Sequence, residues 1–244
     1  MSATDKNPEL LSTVREWWQQ NSAEIGTAAT ARLFAAELWG FLRDSTPEQR
    51  RRRYGDVEYD WDHRVDTTSA TVGWRDRLLG VFHSAYQPTE PALFQEMMAA
   101  LNITFEDFTF IDIGSGKGRT LMMASDYPFR RIIGVELLPE LNRVAEGNLQ
   151  KYKSQEQRCF QLVSCCADAR QYAFPKAPVV LYLSNPLPRA GLRQVVENLQ
   201  RSVQEHPHSV RVLYHNPIHE DVLAARHWLK RTAGTHQFSL YESP

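Results

Sequence analysis

Phe108-Thr109-Phe110-Ile111-Asp112-Ile113-Gly114-Ser115-Gly116-Lys117-Gly118-Arg119-Thr120-Leu121 is the stretch on which the fold turns. An apolar run of strand character leads to Asp112, three glycines at alternate positions turn the chain, and Thr120, Leu121 and Met122 begin a helical pattern. Glycine is needed here because a β-carbon would block both the tight turn and the approach of a ligand to backbone N–H groups. The loop therefore predicts a cradle for a nucleotide-bearing cofactor. Gly114, Gly116 and Gly118 are spaced G-x-G-x-G, whereas a dinucleotide fold carries G-x-G-x-x-G.

Downstream, apolar runs recur at Arg131 to Val135, Phe160 to Cys165, Val179 to Leu183 and Val210 to Tyr214, with helix-length segments between most of them. That alternation predicts an α/β fold, a parallel sheet with helices on its faces. A helix near Glu220 to His227 and a β-prone stretch from Gln237 to Tyr241 follow, and Gly234 is placed to turn a closing hairpin. Upstream, Leu93, Phe94, Met97, Met98 and Leu101 mark a helix that opens at Pro91.

The first part of the chain predicts helices. Leu10, Val14 and Trp17, with Leu11 and Trp18, share one stripe, and Leu33, Leu38, Trp39 and Leu42 form another. Thr46-Pro47 suits the start of a further short helix, and the run Arg50 to Arg53 reads first as its solvated end, where cations suit the helix dipole. Tyr54 to Asp76 reads as irregular, too polar for core and too aromatic for a plain linker. A segment of that kind suits a loop that packs over something, or a strapped-down connection between helices, and a lid across Arg50 to Trp74 is expected from the first reading.

Composition sets the outer bounds. The chain has 244 residues with 28 basic and 29 acidic side chains, a net charge of -1, so no global field gathers nucleic acid or anionic lipid. Cys159, Cys165 and Cys166 form neither a disulfide framework nor paired metal ligands and read as reduced thiols. The eight histidines show no ligand spacing, because Asn216-Pro217 breaks any helix between His215 and His219. No metal is expected, and His215 is placed near a strand tip where substrate can lie. MSATDKNPELL carries no basic leader with an apolar core, and no stretch reaches the roughly 18 apolar residues of a membrane span, so a cytoplasmic protein is expected.

The glycine motif with its preceding acid resembles that of class I S-adenosylmethionine-dependent methyltransferases, above all bacterial proteins of unassigned acceptor. The resemblance covers roughly Tyr86 to Tyr241. It implies a Rossmann-like, mostly parallel seven-stranded sheet flanked by helices, with 86–244 as the methyltransferase domain, while residues 1–85, outside the resemblance, are expected as a helical N-terminal extension and possible lid. S-adenosyl-L-methionine is the implied cofactor. Its methionine and ribose portion would face Asp112, Gly114, Ser115, Gly116 and Gly118. Glu136 would hold the ribose hydroxyls and Asp168 the adenine amine, while Tyr86 and Thr89, in Tyr86-Gln87-Pro88-Thr89, would meet the cofactor carboxylate. Helix capping competes with these roles at Thr89, Glu136 and Asp168.

Ser184-Asn185-Pro186-Leu187-Pro188 is similar to the active-site motif of methyltransferases acting on nitrogen, which makes Asn185 the expected catalytic residue. Leu187 and Pro188 stand where that motif has a second proline and an aromatic, so the atom methylated stays open. The implied function is methyl transfer to an unidentified acceptor, a protein side chain or small molecule ahead of nucleic acid. Its rivals are a non-catalytic cofactor-binding module and a nicotinamide-dependent oxidoreductase.

Overall fold

A computed structural model describes residues 10–44, 57–67, 89–184 and 187–243. The expected helix after Thr46, the run Arg50 to Arg53, and the part of the expected lid beyond Thr67 lie outside the described residues. The chain separates into two compact units, Met1–Val57 with Thr68–Gln87, and Glu58–Thr67 with Pro88–Pro244. The first contains α1 (Leu10–Ile25) and α2 (Thr27–Asp44). Gly26, at φ 82°, turns the chain between them, and Thr30 returns its N–H and hydroxyl to the Gly26 carbonyl. Phe34, outside the expected second stripe, lies 5.9 Å from Trp17 and 6.0 Å from Trp18 and joins α2 to α1, while Trp39 of that stripe is exposed.

The second unit is a seven-stranded sheet in the order β3-β2-β1-β4-β5-β7-β6. Its strands are β1 (Thr109–Ile113), β2 (Arg131–Glu136), β3 (Leu162–Cys166), β4 (Val179–Ser184), β5 (Val210–His215), β6 (Lys230–Gly234) and β7 (Phe238–Glu242). The first five are parallel, while β7 runs antiparallel to both β5 and β6. Strands buried on both faces need continuous apolar runs, and β1 and the first five residues of β4 are buried throughout. Gly234, at φ 136°, turns the closing hairpin, where a β-carbon would stand 2.5 Å from the Phe238 carbonyl oxygen.

Helices cover both faces. Leu192, Val195, Val196 and Leu199 of α7 (Arg189–Glu205) share a core with Ile111, Leu181 and Val212. Phe94, Met97 and Met98 of α4 (Pro91–Ala100) and Leu121 of α5 (Arg119–Ala124) share another with Phe110, Tyr182 and Leu213. Three- and four-residue spacing gives each helix its apolar stripe. The remaining helices of this unit are α3 (Val57–His63), α6 (Pro139–Lys151) and α8 (Glu220–Ala224). No described helix is long and apolar enough to cross a membrane.

One expectation is corrected: Val57–His63, read as irregular, is helical. Glu58–Thr67 groups with the sheet unit. Seven residues carry too little intrinsic propensity to hold a helix, so tertiary contacts must supply what the local pattern lacks.

Candidate active site

The strand order reverses between β1 and β4, and the glycine loop leaves β1 at that point. Open α/β sheets bind ligands in the crevice at this position. Gly114, Gly116 and Gly118 adopt φ of 75°, 53° and 82°, the left-handed region that favours glycine. The N–H groups of Gly114 and Ser115 donate to the Val135 carbonyl at 2.8 and 3.3 Å, which staples the loop across the tip of β2. Glu136, at the end of β2, completes the turn. One carboxylate oxygen accepts from Gly116 N–H and the other from Leu138 N–H, each at 2.8 Å. Each oxygen keeps further acceptor capacity for a pair of hydroxyls.

Asp112 lies beneath the loop, 2% exposed. Burial, then the neighbouring Glu136 charge, push its carboxyl up to about 8 against the opposing hydrogen bond from Thr120. Burial also raises Glu136, although backbone N–H groups oppose the shift. Two desolvated acids thus lie side by side in the cradle. A ligand that brings positive charge would relieve them, and a sulfonium cofactor with an amino-acid tail has that charge.

Other expected site residues fall as follows. Ser115 is buried, and its hydroxyl lies against β2, 2.5 Å from where a β-carbon on Gly134 would stand. Asp168 caps the turn Ala169–Gln171, accepting from Arg170 N–H at 2.9 Å and from the Arg170 guanidinium at 2.8 to 3.0 Å. Glu90 occupies the cap position of α4, and the buried Thr89 hydroxyl instead pairs with Tyr182 Oη at 2.7 Å. Tyr86 and Asn185 lie outside the described residues.

The glycine loop has a buttress that the motif does not reveal. Lys117 and Arg119 are each 1% exposed, at the N-terminal end of α5, where the helix dipole disfavours cations. Carboxylates from the 58–67 segment offset this. Lys117 Nζ donates to Asp66 at 2.8 Å. Arg119 donates through Nε to the Thr67 hydroxyl at 2.6 Å and through Nη2 to Asp60 at 3.3 Å, with its guanidinium 4.8 Å over the Tyr59 ring. Asp60 also accepts from Thr67 N–H at 2.7 Å and from its hydroxyl. Asn148 of α6 joins both sides, accepting from Asp66 N–H and donating to the carbonyls of Asp66 and Lys117. Two cations inside a glycine loop were the legible signal that acids must approach from elsewhere.

A polar row continues along the carboxyl edge. Asp112 pairs in register with Tyr182, and Ser184 with His215, and registered neighbours project to the same face. His215 Nδ1 meets Ser184 Oγ at 3.0 Å and Tyr182 Oη at 3.3 Å. Burial lowers the His215 pKa from its ordinary 6.5, which favours the neutral ring. Burial raises Tyr182, which keeps the phenol protonated.

A family model described as histone methylation protein DOT1 matches residues 81–170, a span that takes in β1, β2 and β3 and stops short of β4 and β5. No curated protein matches the chain in sequence. Among solved structures, an RNA methyltransferase from Salinibacter ruber in complex with S-adenosyl-L-homocysteine is 20% identical, covering 64% of this chain and 92% of that one, with a TM-score of 0.43. A precorrin-6y C5,15-methyltransferase from Geobacter metallireducens is 14% identical, with coverage of 64% and 90% and a TM-score of 0.45.

Proposed function

We propose that this chain, a class I S-adenosylmethionine-dependent methyltransferase, methylates a protein side chain or a small molecule ahead of nucleic acid. The observation that carries the reading is the pair of buried acids under the glycine loop, Asp112 and Glu136, beside the polar row of Tyr182, Ser184 and His215. S-adenosylmethionine, when bound, supplies a sulfonium-activated methyl group for in-line displacement.

The residues divide that work by position. The glycines of the turn from Gly114 to Gly118 carry no side chains to block a close ligand, and Glu136 fixes the turn through Gly116 while offering lone pairs to ribose hydroxyls. Asp112 gives a carboxylate to the cationic end of the ligand. Thr89 and Tyr86 stand ahead of α4 for its carboxylate, and Asp168 for the adenine amine. Asn185 follows β4, where an amide can orient an acceptor by accepting one hydrogen bond and donating another. Positioning and desolvation supply much of such a reaction.

Near-neutral charge supports an acceptor other than nucleic acid, since 28 basic and 29 acidic residues give no field to collect phosphates. The name of the matching family model, histone methylation, supports a protein acceptor. Mass-labelled methyl transfer over a bacterial extract, sorted into protein, RNA and small-molecule fractions, tests this. Label in protein or small molecules is expected. Label confined to RNA contradicts the acceptor reading, and cofactor binding without label in any fraction favours a non-catalytic module. Asn185→Ala is expected to retain cofactor affinity while transfer falls about a hundredfold.

A further inference from the structure

We propose that His215 takes the acceptor's proton during methyl transfer through Nε2, with Ser184 and the Tyr182–Thr89 pair holding the imidazole in the required tautomer. The inference rests on the methyltransferase reading above and adds to it a residue with a chemical role.

The geometry points to this assignment. His215 ends β5 and Ser184 ends β4, paired in register on the carboxyl edge where the acceptor must meet the cofactor crevice. Two hydroxyl oxygens converge on one ring nitrogen, since both described hydrogen bonds of the ring are at Nδ1. A neutral imidazole has one N–H and one lone pair. If Nδ1 carried the lone pair it would satisfy one hydroxyl donor. As an N–H it serves both oxygens at once, because each has lone pairs to offer. Either hydroxyl can donate in the 2.7 Å bond between Tyr182 Oη and Thr89 Oγ1, and with the phenol proton assigned to that bond the Tyr182 oxygen is the acceptor toward His215. The Nδ1–H tautomer follows, and the lone pair is then on Nε2.

Strand register places the groups around the ring. β4 presents Tyr182 and Ser184 to the ring, β7 presents Phe238 opposite it in register, and Asp112 stands one strand further along beside Tyr182. Burial is the cause of the lowered pKa and favours the neutral ring. In the proposed step the acceptor atom forms its bond to the methyl carbon as the carbon–sulfur bond breaks. Sulfur keeps that electron pair, and the acceptor's proton moves to Nε2, giving an imidazolium that solvent later deprotonates. Nδ1–H remains on its two oxygens throughout.

Nitrogen-resolved NMR of the intact protein with S-adenosylhomocysteine gives a readout that needs no acceptor. The Nδ1–H tautomer is expected for His215, with titration below 6.5. An Nε2–H tautomer overturns the proposal. In parallel, wild type and His215→Gln are compared for mass-labelled methyl transfer into a bacterial extract from pH 5 to 9. His215→Gln is expected to keep S-adenosylhomocysteine affinity by calorimetry, to lower transfer about a hundredfold or more, and to lose the acid-side inflection seen in wild type. Transfer by His215→Gln at the wild-type rate with the inflection intact overturns this inference alone. No transfer by wild type at any pH overturns the methyltransferase reading and this inference with it.

Discussion

Asp60→Ala tests whether the 58–67 segment holds the glycine loop. The carboxylate accepts from Thr67 N–H, from the Thr67 hydroxyl and from Arg119, with Asp60 11% and Arg119 1% exposed at their side chains. Removing one partner of a buried pair costs about 3–5 kcal/mol, because the remaining charge stays buried without it. Arg119 keeps its bond to the Thr67 hydroxyl and its place over the Tyr59 ring, which puts the loss near the lower end, about 3 kcal/mol. At about 2–4 °C per kcal/mol for a domain of this size, the melting temperature should fall by about 6–12 °C. The loop that Arg119 anchors also becomes more costly to order, so S-adenosylhomocysteine affinity is expected to drop about tenfold, or about 1.4 kcal/mol. Asp62→Ala, on the exposed side of the same helix, is the control and should stay within about 0.5 kcal/mol of wild type. Thermal melting, urea titration and calorimetry read these effects. Asp60→Ala matching Asp62→Ala in all three refutes the buttress.

The cradle sets four further outcomes. Gly134→Ala drives a β-carbon to 2.5 Å from Ser115 Oγ and 2.6 Å from Leu121 Cδ1, so denaturant titration should show a loss of about 1–3 kcal/mol, partly recovered by adding Ser115→Gly. Because the Asp112 carboxyl is raised from 3.8 to about 8, it is protonated at pH 7 in the free protein, and a cationic ligand favours its ionised form. Binding should therefore release close to one proton at pH 7, and affinity should climb as pH rises toward about 8, measured by calorimetry in buffers of different ionisation enthalpy. The same raised value has the opposite sign for the empty fold, whose stability should fall between pH 3.8 and about 8 on this group's account and recover in Asp112→Asn. Glu136→Ala removes the anchor of Gly116 and should weaken cofactor binding by about 2 kcal/mol by calorimetry.

The sheet was legible because strands buried on both faces must be written as apolar runs, and Val179-Val180-Leu181-Tyr182-Leu183 admits little else. The glycine turn and the Gly234 hairpin were legible for a related reason, since backbone at positive φ selects glycine. The buttress was not. Asp60 and Arg119 are 59 residues apart, and no local rule joins them. Only the placement of Lys117 and Arg119 against the dipole of α5 hinted that distant acids were required. Thr89 read equally as a cap or a ligand contact, and its bond to Tyr182 depends on the packing of α4 against β4. Within an apolar run Tyr182 reads as a core aromatic, so its hydroxyl's part in a polar row emerges only from strand register.

If the loop from Gly114 to Gly118, with Glu136, forms the S-adenosylmethionine site, calorimetry on a loop variant will show it. S-adenosylhomocysteine is titrated into wild type and into Gly116→Val, whose left-handed position at φ 53° disfavours a β-branched residue and whose side chain would fill the space a ligand needs. NADH is titrated into wild type as the control. One site of roughly micromolar affinity, about 8 kcal/mol, is expected in wild type, with binding lost in a folded Gly116→Val protein and no NADH heat. Wild-type affinity in the folded variant, or NADH binding in the absence of any S-adenosylhomocysteine heat, would place the cofactor site elsewhere.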